Sequence, residues 1–252
     1  SFEKLCKKAG GTYIEFRSDS KINLNPFSVV TDECVAADGT VEGGINEDID
    51  MLKPALAKMC SMGRTLEEVQ LKALGAMALK LYKEYGRELT ITGLRDAFKT
   101  GSMPELGLNG DQRVKDLAVM LSPYSRGGEY ERFFEGKANT EHIDFSNDFM
   151  VIENEELKRK PDLHAVVNIL LMYQITGQMF LTRDRKKVLC IDELKQQLGD
   201  IGADDPIKAA VIVETSRRAR KYGGALIMAT QNGSDFYESL QMQTALSCCD
   251  WL

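Results

Sequence analysis

Two short apolar stretches of this chain are each followed by polar residues of types that can bind phosphate or Mg²⁺. Residues 188–191 are followed by Asp192 and Glu193, and residues 225–230 are followed by Gln231. If both stretches are strands of one parallel sheet, their carboxyl ends lie at the same edge. There an aspartate can hold Mg²⁺, the next glutamate can activate a water, and a glutamine amide can sense a γ-phosphate. The pattern therefore predicts half of an ATP-hydrolysing site.

Two arginines precede the second apolar stretch. Arg217 and Arg220 belong to a cationic, helix-like segment that ends at Lys221. A guanidinium keeps its charge and grips two phosphate oxygens, so either arginine can stabilise a transition state, including one on a neighbouring subunit. The spacing does not choose between them. Each signal is weak by itself, because charged residues are common where strands and helices meet solvent.

The phosphate-binding half of such a site does not occur in the 252 residues. No G-x-x-x-x-G-K-[ST] motif is present, so the backbone amides and the lysine that cradle a nucleotide's phosphates are not supplied. The chain begins at Ser1 without Met and ends at Leu252 in an apolar stretch. We therefore expect a piece of a longer protein, truncated after its P-loop. Alone, this piece is expected to be inactive.

The order of the predicted elements indicates an α/β fold. A first strand is predicted at 12–16. Strands and helices then alternate late in the chain, at 149–152, 162–181, 187–191, 206–222 and 225–230. Near-continuous apolar strands, with Cys190 as a buried residue, predict a mostly parallel sheet covered by helices on both faces.

The middle of the chain is predicted to be all-α, because apolar residues recur there at helical spacing. The motif T-x-x-E that begins at Thr65 predicts a capping box and a helix that runs to about Tyr85. We therefore divide the chain into a first part of the sheet core, 1–45, an inserted all-α lobe, 46–136, and a second part of the core, 137–252.

Composition excludes several function classes. Apolar residues make up 43%, which is ordinary for a soluble globular protein. The net charge of −6 argues against a dedicated nucleic-acid-binding domain. The six cysteines form no C-x-x-C pair, and there are only two histidines, so no zinc site is predicted. The most apolar stretch, 165–181, is interrupted by polar residues and predicts a buried helix with no membrane span.

Several blocks of sequence, spread over nearly the whole chain, carry a family resemblance. They are residues 1–6 (SFEKLC), 11–16 (GTYIEF), 22–27 (INLNPF), 121–125 (LSPYS), 130–136 (YERFFEG), 191–193 (IDE) and 217–232 (RRARKYGG…TQN). In order and wording these blocks resemble the TraC/VirB-type ATPases of conjugative type IV secretion systems.

The resemblance implies a partial RecA-like P-loop NTPase core interrupted by the all-α lobe, with ATP and Mg²⁺ as cofactors. It implies these roles: Glu193, Gln231 and Arg220 or Arg217 in catalysis, Asn25 and Gln231 in nucleotide binding, and Asp192 at the metal. It also implies a cytoplasmic location peripheral to the inner membrane, with other secretion components as partners and hexamers or related oligomers as the assembly.

The implied function is a motor that couples ATP hydrolysis to pilus assembly or substrate translocation. Two alternatives stay open. A related DNA-pumping translocase or coupling protein would need a basic pore surface, which the acidic balance disfavours. A non-catalytic module that docks on other secretion proteins would fit the missing P-loop. The cargo, DNA or protein, is not specified by the sequence.

Overall fold

The computed structural model describes residues 2–17, 20, 22–30, 44–61, 65–136, 143–181, 185–193, 213, 215–216, 219, 223–237 and 240–249. The chain divides into two compact units, Ser1–Val166 and Val167–Leu252. Among these described residues, each unit contains one two-stranded parallel sheet.

The sheet of the first unit joins residues that are far apart in sequence. Helix α1 (Phe2–Lys8) leads into strand β1 (Thr12–Glu15), which pairs in parallel with strand β2 (Met150–Glu153). Gly11 lets helix and sheet approach closely, since a Cβ there would lie 2.7 Å from the Phe149 carbonyl oxygen. The strand predicted from aromatic and β-branched content is therefore present and ends one residue early.

Five α-helices lie between these two strands in sequence, within the described residues 44–61 and 65–136. They are α2 (Ile45–Ser61), α3 (Glu68–Tyr85), α4 (Ile91–Phe98), α5 (Gln112–Leu121) and α6 (Glu131–Phe134). Because β1 and β2 pair directly, the helices form an insertion between two neighbouring strands. Leu52, Leu94 and Leu117 are fully buried in this block. An all-α segment at this place was predicted; its exact limits as a domain stay a prediction.

The start of α3 differs from the predicted capping box. Glu67, not Thr65, is the residue at the helix N-terminus, and its backbone N–H donates to Oε1 of Gln70 at 3.0 Å. The amide nitrogen of Gln70 donates to the Arg113 carbonyl oxygen at 3.1 Å. Gln70 therefore caps α3 and ties it to α5 at once, and this tertiary contact explains why the helix begins later than the motif predicts.

A tight loop joins α5 to α6 and depends on two adjacent glycines. Gly127 has φ +82°, and a Cβ there would meet no atom within 4 Å. Gly128 has no such space, because a Cβ would lie 2.2 Å from the Ser122 carbonyl oxygen and 2.5 Å from that of Pro123. The same Pro123 oxygen accepts the Tyr130 N–H at 2.8 Å, which fixes its position.

We expect Gly128→Ala to lower the free energy of unfolding by about 3 kcal/mol, since the added methyl group meets backbone atoms that cannot move aside cheaply. Urea denaturation followed by circular dichroism measures the loss. Gly127→Ala is the matched control: it strains only its own backbone and should cost about 1 kcal/mol. Equal losses in the two variants would contradict the close approach at Gly128.

The second unit contains the later α/β elements. Helix α7 (Pro161–Leu181) begins in the first unit and ends in the second, and it is followed by β3 (Lys187–Ile191), β4 (Gly224–Met228) and α8 (Leu240–Ser247). Residues 163–174 of α7 are all buried, which confirms the predicted buried helix. No described helix is both long enough and apolar enough to cross a membrane.

Strands β3 and β4 pair in parallel, with Lys187 opposite Gly224 and Ile191 opposite Met228. The predicted α/β class with parallel strands is confirmed. Burial alternates along both strands, so that Val188 is 62% and Ile227 52% exposed. Cys190, predicted to be buried, is exposed. An apolar run predicts a strand, but it does not by itself show that both faces are covered.

Candidate functional site

The candidate site lies at the carboxyl end of the β3–β4 sheet. The ladder continues one step past the strands, where the Ala229 N–H donates to the Ile191 carbonyl oxygen at 2.9 Å. Asp192 and Glu193 therefore follow β3 at the edge where the residues after β4 emerge. The parallel arrangement inferred from the two apolar stretches is present. The catalytic roles assigned to the side chains stay predictions.

Glu193 has an unusual backbone. Its φ is +49°, the one positive value among the described non-glycine residues. Its N–H donates to Oδ1 of Asp192 at 2.9 Å, and this contact supports the left-handed conformation. Such a conformation costs on the order of 1 kcal/mol and is concentrated at functional sites. Asp192 is exposed and Glu193 is half-buried.

The loop after β4 carries Gln231 and is held by a buried aspartate. Gln231 is exposed and makes no recorded contact within the described part of the chain. The Thr230 hydroxyl donates to the carboxylate of Asp235, which is 7% exposed, and the Asp235 N–H donates to the Asn232 carbonyl oxygen at 3.1 Å. These bonds fix the backbone on both sides of Gln231 while leaving its amide in solvent.

Asp235 was not among the residues proposed from the sequence. Its signal is modest: an aspartate at the start of a short 3₁₀ turn, Gly233–Tyr237, that follows an apolar strand. Aspartates are frequent in turns because they bond local backbone groups. Nothing in the sequence alone shows that this carboxylate is buried against a threonine of the preceding strand end.

The two glycines that end the RRARKYGG run have separate roles. Gly223 has φ +68°, and its carbonyl oxygen accepts the Lys187 N–H at 3.1 Å. At Gly224 a Cβ would lie 3.2 Å from the carbonyl oxygen of buried Ala219 and 3.0 Å from Cε of Met179. The pair therefore turns the chain into β4 and packs that strand closely. Arg217 and Arg220 lie outside the described residues.

The described residues contain no cluster of three or more His, Cys, Asp or Glu that would hold a metal by itself. Mg²⁺ in phosphate-transfer sites usually takes one or two carboxylates and completes its shell with phosphate oxygens and water. The exposed Asp192 carboxylate at a strand end fits that use, since it offers hard oxygen donors and leaves space for a substrate.

Asn25, the proposed nucleotide contact, lies in the first unit. Its side chain is 5% exposed; Nδ2 donates to the Leu89 carbonyl oxygen at 2.8 Å, and Oδ1 accepts the Phe27 N–H at 3.2 Å. Nearby, the Val30 carbonyl oxygen accepts from the Tyr82 hydroxyl at 3.3 Å. These bonds anchor the INLNPF segment to the inserted helices. A contact between Asn25 and nucleotide stays a prediction.

Comparison with known proteins places this geometry in context. The profile of the TraG P-loop domain family matches residues 1–248. No curated protein matches the sequence. Among solved structures, VirB4 of Thermoanaerobacter pseudethanolicus is similar, with a TM-score of 0.75 and 19% sequence identity. The match covers 99% of this chain and 64% of that one, so the chain spans less than two thirds of the length of VirB4. At this identity the likeness shows the fold.

Proposed function

Because the chain belongs to the TraG P-loop domain family, we propose that it is the motor region of a type IV secretion ATPase, coupling ATP hydrolysis to pilus assembly or substrate translocation. The observation that carries the proposal is the parallel pairing of β3 with β4, which delivers Asp192 and Glu193 to the edge from which Gln231 also emerges. Two carboxylates and an amide at such an edge are groups that phosphoryl transfer uses.

Each residue has a distinct task in this proposal. Asp192 would hold Mg²⁺, whose charge offsets that of the phosphates. Glu193 would accept a hydrogen bond from the attacking water and take up its proton as the water oxygen bonds to the γ-phosphorus and the bond to the β-phosphate oxygen breaks. Gln231 would donate to a γ-phosphate oxygen, and Arg220 or Arg217 would act from a neighbouring subunit.

The proposal requires several copies of the protein to assemble. Because Arg220 or Arg217 would complete the site of the next subunit, the active form would be a homo-oligomer, with a hexamer as the expected state. Its place would be the cytoplasmic side of the inner membrane, bound to other secretion components. ATP and Mg²⁺ would be the cofactors, with Asn25 as a further nucleotide contact.

The test compares the 252 residues alone with the full-length protein. We expect no ATP-dependent phosphate release from the 252 residues, because they contain no Gly-rich loop with its lysine to cradle the phosphates. The full-length protein should release phosphate in the presence of Mg²⁺, with turnover on the order of 1 s⁻¹ or above. A colorimetric phosphate assay on both proteins at equal concentration gives the answer.

The absence of the P-loop motif favours one alternative, a non-catalytic module that docks on other secretion proteins. If the full-length protein neither binds nor hydrolyses ATP, that result would support this alternative and contradict the proposed motor function. Salt-sensitive binding of DNA by the full-length protein would instead support a DNA-pumping relative.

A further inference from the structure

The loop between α5 and α6 is a built structure that the proposed ATPase chemistry does not use. The Gly128 N–H donates to the Ser125 carbonyl oxygen at 2.8 Å, and the Gly127 N–H donates to Oε2 of Glu131 at 2.9 Å. The Arg126 N–H donates to the Thr92 hydroxyl at 2.7 Å, which binds the loop to α4. The loop is therefore held from both sides in one conformation.

This loop borders an open depression of about 380 Å³. Its apolar part is formed by Val119, which is 69% exposed, together with Pro123. Its polar part is formed by Arg95 and Arg126. The Arg95 side chain is largely buried and donates to the Arg126 carbonyl oxygen at 3.3 Å. An apolar surface beside cationic groups, of which Arg95 is held in place by its bonds, is the composition of many ligand pockets, and this volume suits one or two side chains.

The depression is surrounded by four cations, Arg95, Lys99, Arg126 and Lys160, and by three carboxylates, Asp96, Glu129 and Glu131, so one positive charge is in excess. Asp96 is paired with Arg95 and with Lys99, at 2.8 Å in both cases. Glu129 is paired with Lys160 at 2.6 Å. The exposed guanidinium of Arg126 has no recorded partner in the part of the chain that the structure describes. One negative charge on a bound ligand would neutralise this excess positive charge.

We propose that this depression docks a segment of a partner protein in which an aspartate or glutamate stands beside an aliphatic residue. The carboxylate would accept hydrogen bonds from Arg126, and the aliphatic side chain would cover Val119 and Pro123. A polyanion such as nucleic acid fits less well, because Arg126 is the one lining cation without a carboxylate partner among the described residues, and a polyanion would need several such cations. This docking site goes beyond the motor function and does not depend on it.

The experiment is an NMR titration of the ¹⁵N-labelled full chain with acetyl-Leu-Glu-Leu-amide as the probe. We expect saturable shifts of the Gly127 and Gly128 amide signals, with a Kd on the order of 1 mM for so small a ligand. Acetyl-Leu-Gln-Leu-amide, which has no charge, should bind about tenfold or more weakly. Arg126→Gln should weaken binding of the charged peptide by a similar factor.

The control variant is Lys72→Gln, which removes one positive charge from an exposed site on α3 that is not among the lining residues. It should bind the charged peptide as the unaltered chain does. Because the Arg126 side chain makes no hydrogen bond or ion pair with the described residues, its variant should keep the original melting temperature, so lost binding would not reflect unfolding.

Three results would overturn the proposal. The first is an absence of shifts up to ~10 mM of the charged peptide. The second is equal binding of the charged and uncharged peptides, or equal binding by the Arg126 variant and the unaltered chain. The third is displacement of the peptide by a short oligothymidylate whose own binding requires Arg126, which would assign the depression to nucleic acid.

Discussion

Replacing Glu193 with glutamine is expected to lower ATP turnover by the full-length protein by about 10²- to 10⁴-fold while ATP binding persists. Glutamine has nearly the same size and still accepts a hydrogen bond, but it cannot take up the proton of the attacking water. Because glutamine has nearly the same size and Glu193 is only half-buried, the substitution adds no bulk to a packed interior. The left-handed backbone at this position is no harder for glutamine to adopt than for glutamate.

Steady-state phosphate release and the binding of a fluorescent ATP analogue, measured on the same preparation, separate the two effects. Glu68→Gln is the matched control, since it makes the same chemical change at an exposed site on α3, where Glu68 pairs with Lys72. That variant should retain full turnover. Normal turnover in Glu193→Gln would remove Glu193 from its catalytic role, and loss of nucleotide binding would point to a structural role.

Arg220→Ala is expected to lower turnover by about 10³-fold, and only in the assembled protein, because a guanidinium that acts on a neighbouring site has no target in a monomer. The residue follows Ala219, which is 4% exposed and lies against the start of β4. Arg217→Ala should change turnover little if Arg220 is the finger.

The measurement is turnover as a function of protein concentration, with the oligomeric state followed by light scattering. The unaltered protein should gain specific activity as it assembles, and Arg220→Ala should not. Reversed behaviour of the two variants would assign the role to Arg217. Equal loss in a demonstrably monomeric sample would argue against action between subunits.

Regular elements and their pairing were predictable because they depend on short-range patterns. The long apolar stretch that follows Pro161 predicted α7 within one residue of its observed start at Pro161, and the apolar stretch 187–191 matches β3. Because parallel strands end at one edge, the proximity of Asp192 to the end of β4 followed from the same pattern.

What could not be predicted depends on contacts between distant residues. The helix after Thr65 begins later than its motif indicates because Gln70 bonds Arg113 across the lobe. Asp235 is buried against Thr230, a contact that turn statistics do not specify. The exposure of Cys190 depends on which elements cover the sheet, and apolar sequence alone does not contain that information.

The insertion of five helices between β1 and β2 has a consequence for the order of folding. Contacts among the helices close short loops, whereas pairing of Thr12 with Met150 must close a loop that contains the whole helical block. Loop-closure entropy makes such distant pairings slow unless the intervening chain is already compact. On the ribosome the helices also emerge before β2 does. We therefore expect the helical block to fold before the two strands pair, and mutations that weaken its core to slow folding of the sheet as well.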